Sequence, residues 1–298
     1  MSSTIFKLVK EKIVRLDGAM GTELIRHGLK TGTCPEQWNI ESPQIIKSIH
    51  KNYFQSGADA VQTNSFGGNK IKLSYYNMGE QCYEINYRAA QLAKEVRPKN
   101  KFIAGSIGPT GKFLKPYGFY TEKDFEEAYG EQAQGLEKGG ADFLLIETQY
   151  DLREALCALR AGQKWTHIPV FVTMTFDHFK RGYFTVMGNS VAQCMKEFES
   201  QGVPISGANC TLDTQKMSEL IKVIRRTTSL PLIAQANAGQ PILSSSTGEV
   251  SYSQSIDDYV KYVPRMIENG ANILGGCCGT DPQYINRLDQ IIKKFDEK

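Results

Sequence analysis

The sequence predicts a single (β/α)8 barrel of the α/β class, on three observations. Short apolar runs rich in β-branched or aromatic residues recur along the whole chain, most follow a segment of helical periodicity, and the runs number eight. Strands alternating with helices need a sheet covered on both faces, and eight repeats at spacings of roughly 30 to 45 residues fit a parallel sheet closed on itself. No linker or low-complexity tract divides the 298 residues, so residues 1–298 read as one domain. An open doubly wound sheet is the alternative, without the GxGxxG phosphate loop that would support it.

The runs begin with IVRLDG at Ile13, ADAVQTNSF at Ala58, KFIAGSIG at Lys101 and ADFLLIET at Ala141. PVFVTMTF from Pro169, PISGANC from Pro204, PLIAQANAG from Pro231 and ANILGGCCG from Ala271 complete the set. Between them, helix signals agree. Ser42 and Pro43 before QIIKSIHKNYFQSG supply a cap and a first-turn proline, and Gly57 ends that helix. Thr121 opens EKDFEEAYGEQAQGLEKGG with acidic residues in the first turn, and Gly139 marks its exit.

Barrels of this kind place their chemistry at the C-terminal ends of the strands. Read in order, those ends carry Asp17, Thr63 with Asn64, Ser106, Glu147, Asp177, Asn209 with Cys210, Asn237, and Cys277 with Cys278. Three cysteines from the sixth and eighth strands suit a zinc ion, because soft thiolates select it and three protein ligands leave a fourth position for substrate. Adjacent residues of a regular strand face opposite ways, so Cys277 and Cys278 reach one ion only where the strand breaks. Gly275, Gly276 and Gly279 supply that freedom.

A structural zinc site would be closed by a fourth Cys or His, and none is near in sequence. His27, His50, His167 and His178 are scattered and read as surface or core residues; without an HExxH pair the site is poor for hydrolysis. Cys34, Cys82, Cys157 and Cys194 lack ligand spacing; the last three read as small buried hydrophobes. A sulfur-rich zinc is a weak acid for water but lowers the pKa of an entering thiol while leaving it electron-rich, which is what attack on a methyl carbon needs.

Composition limits the partners. The 35 basic and 32 acidic residues are mixed along the chain for a net charge of +3, with no basic run to track a nucleic-acid backbone. No stretch approaches the ~18 apolar residues of a membrane span, and the start lacks a secretory signal, so a cytoplasmic location without membrane partner is expected. Seven cysteines, an odd number, do not resemble a disulfide scaffold.

Taken together, LDGAMGTEL (16–24), QTNSFGGNK (62–70), GSIGPTG (105–111), IET (146–148), MTFD (174–177), GANC (207–210), ANAGQP (236–241) and GGCCGTDP (275–282) are highly specific. Over nearly its whole length the chain resembles the zinc-dependent homocysteine S-methyltransferases, and within them most resembles the homocysteine-binding domain of the cobalamin-dependent synthases. The resemblance implies that Cys210, Cys277 and Cys278 ligate zinc, with Asn237 a labile fourth ligand that homocysteine sulfur displaces. It implies too that Asp17 and Glu147 lie near the amino-acid amine and that Thr63, Asn64 and neighbouring backbone amides orient the substrate. Asp17 as a cap of AMGTELIRHG, and Glu147 paired with an Arg or Lys, are the structural alternatives.

Betaine-using members resemble one another in a tryptophan after strand one and a tyrosine after strand two, where this chain has Cys34 and Gly67. Trp38 reads as a packing residue. The donor implied is methylcobalamin on a separate corrinoid protein, or a free sulfonium such as S-methylmethionine. Phe113, Tyr117, Phe119 and Phe179 are candidates to dock a partner, to form a lid, or merely to pack their loops. Two further alternatives stand: a subunit of a corrinoid-dependent demethylation system with another acceptor, and a non-catalytic module with a structural zinc.

Overall fold

The computed structural model describes residues 4–243 and 250–296. Its eight barrel strands are β1 (Val14–Arg15), β2 (Ala60–Gln62), β3 (Phe102–Ile107), β4 (Phe143–Gln149), β5 (Val170–Met174), β6 (Ser206–Asn209), β7 (Leu232–Ala236) and β8 (Ala271–Gly276). They pair in parallel in the order β1-β8-β7-β6-β5-β4-β3-β2. An open sheet would leave β1 and β2 as edges. Instead Asp59, one residue before β2, donates its N–H to the Arg15 carbonyl at 2.7 Å, and the sheet is nearly closed there.

Period two along the strands fills the barrel. Ala60, Phe102, Phe143, Phe171, Ile205, Ile233 and Ile273 form one apolar cluster with Val14, Leu16, Ala104 and Leu145. Helix Ile5–Glu11, ahead of β1, packs Ile5, Leu8 and Val9 onto the same cluster and plugs the N-terminal end of the barrel. At roughly 1.5 to 3 kcal/mol for each fully buried large side chain, this plug seals the barrel end opposite the reactive residues. A larger cluster lies between the strands and the surrounding helices, and Trp38 packs against it as expected.

The local helix signals hold in part. Pro43 opens helix Pro43–Gln55, but Ser42 makes no side-chain capping bond: its φ of −134° and ψ of 50° are not the usual extended conformation of a capping residue. Thr121 and Asp124 form a reciprocal capping box. Gly139 is the last helical residue and lies against the Tyr87 carbonyl, where a Cβ would come within 2.3 Å; Gly140, at φ +111°, makes the left-handed exit instead. The loop after β5 contains an antiparallel hairpin, Asp177–Phe179 with Gly182–Phe184, turned at Gly182 (φ +116°). A second hairpin, Pro241–Leu243 with Val250–Tyr252, follows β7. Among the described residues no helix is long and apolar enough to cross a membrane.

Candidate active site

β8 ends at Gly276, so Cys277 and Cys278 lie just beyond the strand, as a shared site requires. Only Gly279, at φ +83°, contributes conformational freedom. Gly275 and Gly276 act by size, since a Cβ would come within 2.7 Å of Leu16 and 2.2 Å of Thr280 respectively. The turn is clamped by Thr280, whose hydroxyl donates to the Cys277 carbonyl at 2.7 Å and accepts the Ala19 N–H at 3.2 Å. Cys210 leaves β6 at φ +66°, followed by Thr211 at +60°, and Thr148 after Glu147 sits at +56°. Left-handed backbone in non-glycine residues costs about 1–2 kcal/mol each and collects at functional sites. Pairing of β4 with β5 shifts register between Ile146 and Gln149, a bulge that sets the direction of Glu147.

These turns bring the three thiols together. Cys210 Sγ is 3.9 Å from Cys278 Sγ, and the three sulfurs all lie within 4.8 Å of one another. A tetrahedral ion with metal–sulfur bonds of about 2.3 Å separates its sulfurs by about 3.8 Å, whereas a disulfide needs about 2.05 Å. The trio therefore has the spacing of metal ligands. Thiol donation from Cys277 and then Cys278 holds Cys210 down to about 3, and the same bonds to Cys210 push Cys278 up to about 12 and Cys277 well above its ordinary value. Asn237 is buried, its side chain also lowers Cys210, and its Oδ1 has no hydrogen-bond partner. Cys82, Cys157 and Cys194 are buried, as expected, and so is Cys34. His50 is a core residue whose burial lowers it to about 3.

The thiols floor a cavity of about 350 Å³ whose wall includes Thr63, Asn64, Phe66, Ser106, Glu147 and Tyr252. Asp17 is fully buried behind it; Oδ2 accepts the Gln62 N–H at 2.8 Å, and Oδ1 has no partner. It caps no helix, since Ala19 holds the N-cap position of Met20–Arg26. Nor does Glu147 form an ion pair among the described residues. Its Oε1 accepts from Ser106 Oγ and Gln62 Nε2, both at 2.5 Å, and its Oε2 from Asn209 Nδ2 at 3.2 Å. Burial raises Glu147 to about 7, against the pull of those donors and helped by charge on Cys210. Burial likewise lifts Asp17 well above the usual carboxylate range, with the Glu147 charge adding to it.

Thr63 Oγ1 contacts Ser65 Oγ at 2.5 Å and accepts the Ser106 N–H at 3.0 Å; Asn64 Nδ2 donates to Pro35 O at 2.8 Å and Asn39 Oδ1 at 3.1 Å. Both line the cavity while holding the loops around it. Asp177, expected at the rim, begins the hairpin after β5 and does not line the cavity. Gln62 and Gln235, by contrast, do line it, although neither is marked by residue type as a site residue. Their signal was phase: Gln62 follows inward-facing Ala60 by two, and Gln235 follows Ile233 by two, just as Glu147 follows Leu145.

A buried pair of carboxylates, Asp17 and Glu147, thus stands beside three clustered thiols at the C-terminal end of a parallel barrel, the end at which such barrels place their chemistry. The homocysteine S-methyltransferase family model matches residues 14–292, and the chain belongs to that family. It is 30% identical over 305 residues to the methionine synthase of Mycobacterium tuberculosis (strain ATCC 25618 / H37Rv), covering 95% of this chain and 25% of that protein. Identity to the methionine synthase of Mycobacterium leprae (strain TN) is 29% over 311 residues, with 98% and 25% covered. The chain thus spans about a quarter of the length of these relatives. In fold it is similar to the homocysteine methyltransferase MmuM from Escherichia coli. The metallated form has a TM-score of 0.80 at 22% identity, covering 96% of this chain and 99% of that one; the oxidized form also has 0.80, at 21% identity with 95% and 97% covered.

Proposed function

We propose that this barrel, acting as one domain, is a zinc-dependent methyltransferase that moves a methyl group onto the thiol of homocysteine to give methionine. The observation that carries the reading is the set of three sulfurs within 4.8 Å at the floor of a cavity walled by Glu147. Cys210, Cys277 and Cys278 would hold the ion, and the unpartnered Asn237 Oδ1 is an oxygen free for the fourth position. When bound, zinc lowers the pKa of a thiol in its open position, supplying an electron-rich thiolate near neutral pH.

The chain's own residues do the rest. Asp17 and Glu147 receive the ammonium of the amino acid, and hydrogen bonds to charged groups are worth about 1.5–3 kcal/mol each. An ammonium placed between them stabilises both ionised forms, offsetting the burial that raises them. Thr63, Asn64 and the loop amides shape the wall against which the substrate lies. Fixing the thiolate in line with the donor carbon removes orientational freedom before the displacement, and no protein base is required. The donor is a methyl-corrinoid delivered by a separate protein or a sulfonium such as S-methylmethionine; the exposed Phe113, Tyr117, Phe119 and Phe179 lie on loops after β3 and β5, at the strand ends where either would enter.

Assayed side by side with S-methylmethionine, methylcobalamin and betaine, purified protein should convert homocysteine to methionine with one of the first two and not with betaine, and should carry one zinc per chain. Cys210→Ser should lose both the metal and turnover while keeping its far-ultraviolet circular dichroism. Full activity in that variant would overturn the assignment.

A further inference from the structure

The geometry points to Gln235 as a positioning residue that couples the thiol centre to the ammonium pocket by fixing the amide of Gln62 against Glu147. This rests on the function proposed above and adds a residue that need not touch the reacting sulfur. Gln235 is buried in β7. Its backbone carbonyl accepts the N–H of Cys210 at 2.9 Å, and its Nε2 reaches the carbonyl of Gly276, the residue before Cys277, at 3.3 Å. The next residue, Ala236, accepts the Cys277 N–H at 2.8 Å. One short segment of β7 thus ties down both cysteine-bearing loops.

Across the barrel, Gln235 Nε2 also donates to Gln62 Oε1 at 2.5 Å. That bond decides which way the Gln62 amide faces. With its oxygen engaged by a donor, Gln62 must turn Nε2 toward Glu147 Oε1, again at 2.5 Å, while its backbone N–H holds Asp17 Oδ2. A reversed amide would set its oxygen against a carboxylate oxygen, a repulsive contact between two buried side chains. Gln62 therefore touches both acidic residues, and only Gln235 donates to its side-chain oxygen among the described residues. Both glutamines face the interior because they sit in phase with the apolar residues below them, so the chain of bonds runs over four strands: β7, β2, β4 and the end of β1.

The consequence is selective. Removing the Gln235 donor gives up its 3.3 Å bond to the Gly276 carbonyl but leaves the backbone carbonyls of Gln235 and Ala236, and hence the Cys210 and Cys277 N–H contacts, in place; what it loosens most is the orientation of Glu147. The substrate's amine should be felt less, and its thiol should be felt as before.

The test compares homocysteine with 4-mercaptobutanoate, the same thiol acid without the amine, as acceptors for the wild type, Gln235→Met and Gln62→Met, with zinc content measured in each. The expected result is a rise of about tenfold in KM for homocysteine in either variant, little change for 4-mercaptobutanoate, and undiminished zinc. The double variant should lose no more selectivity than either single one, because both break one chain. Equal losses for the two thiols, loss of zinc, or additive losses in the double variant would show a structural role and overturn the relay. If the wild type fails to prefer homocysteine, the function itself is wrong; if it prefers homocysteine and the variants keep that preference, only the relay fails.

Discussion

Burial with hydrogen-bond donors on both oxygens, and with no ion pair among the described residues, leaves Glu147 ionised at a cost to folding. Its pKa is raised from 4.5 to about 7, so the folded chain keeps a proton that the unfolded chain releases from 4.5 upward. The sign follows: between those values the native state binds more protons, and stability falls as pH rises. Metal-free wild type should therefore lose about 3 kcal/mol more than Glu147→Gln between pH 4.5 and 7, measured by urea unfolding at a series of pH values. Parallel curves for the two proteins would show that Glu147 ionises without penalty. The same variant should bind methionine, which carries the ammonium and no ionisable sulfur, at least tenfold more weakly than wild type at pH 8 by calorimetry. At this scale the sequence was most legible where chemistry is rare: three cysteines and two acidic residues ending apolar strands stand out by type. Gln62 and Gln235 did not, since a glutamine in a strand is chemically quiet and only its phase with Ala60 and Ile233 marks it as inward-facing.

Among the elements, the C-terminal turns of β6 and β8 carry the site, and small residues let them approach. Gly207 packs against β7 so closely that a Cβ would lie 2.0 Å from the Ile233 carbonyl. Gly207→Ala should push β6 from β7, displace Cys210, and lower both stability, by about 3 kcal/mol or more, and zinc affinity. Unchanged melting temperature and metal content would contradict that contact. Strands and helices were readable from apolar runs and from strong signals such as the Thr121 capping box. Hairpins within loops were not, because Asp177–Phe179 and Gly182–Phe184 are only three residues each, and the first exposes His178 and Phe179, too little for a legible alternation. Ser42 looked like a cap by residue type alone, and the local backbone decided otherwise.

For the molecule as a whole, the two ends of the barrel divide the work. The N-terminal end is apolar and closed by Ile5–Glu11; the C-terminal end holds the polar layer and the thiols. Ile5→Ala should cost about 2–4 kcal/mol in chemical unfolding and leave zinc content and KM for homocysteine unchanged. A loss of activity at temperatures where the variant is folded would mean that the ends are coupled. The number and order of the barrel strands are legible in eight apolar runs, because each strand must bury both faces. The N-terminal plug was not foreseen: seven residues with one exposed face carry too little periodicity to show where they dock.

As a homocysteine methyltransferase, the barrel requires a metal held by Cys210, Cys277 and Cys278 with one position open to a fourth sulfur. X-ray absorption at the zinc edge, recorded on reductant-protected protein with and without homocysteine, tests it most directly. The predicted result is a shell of three sulfurs and one lighter atom that becomes four sulfurs when homocysteine is added. A shell unchanged by homocysteine, or protein that retains no zinc, would contradict it.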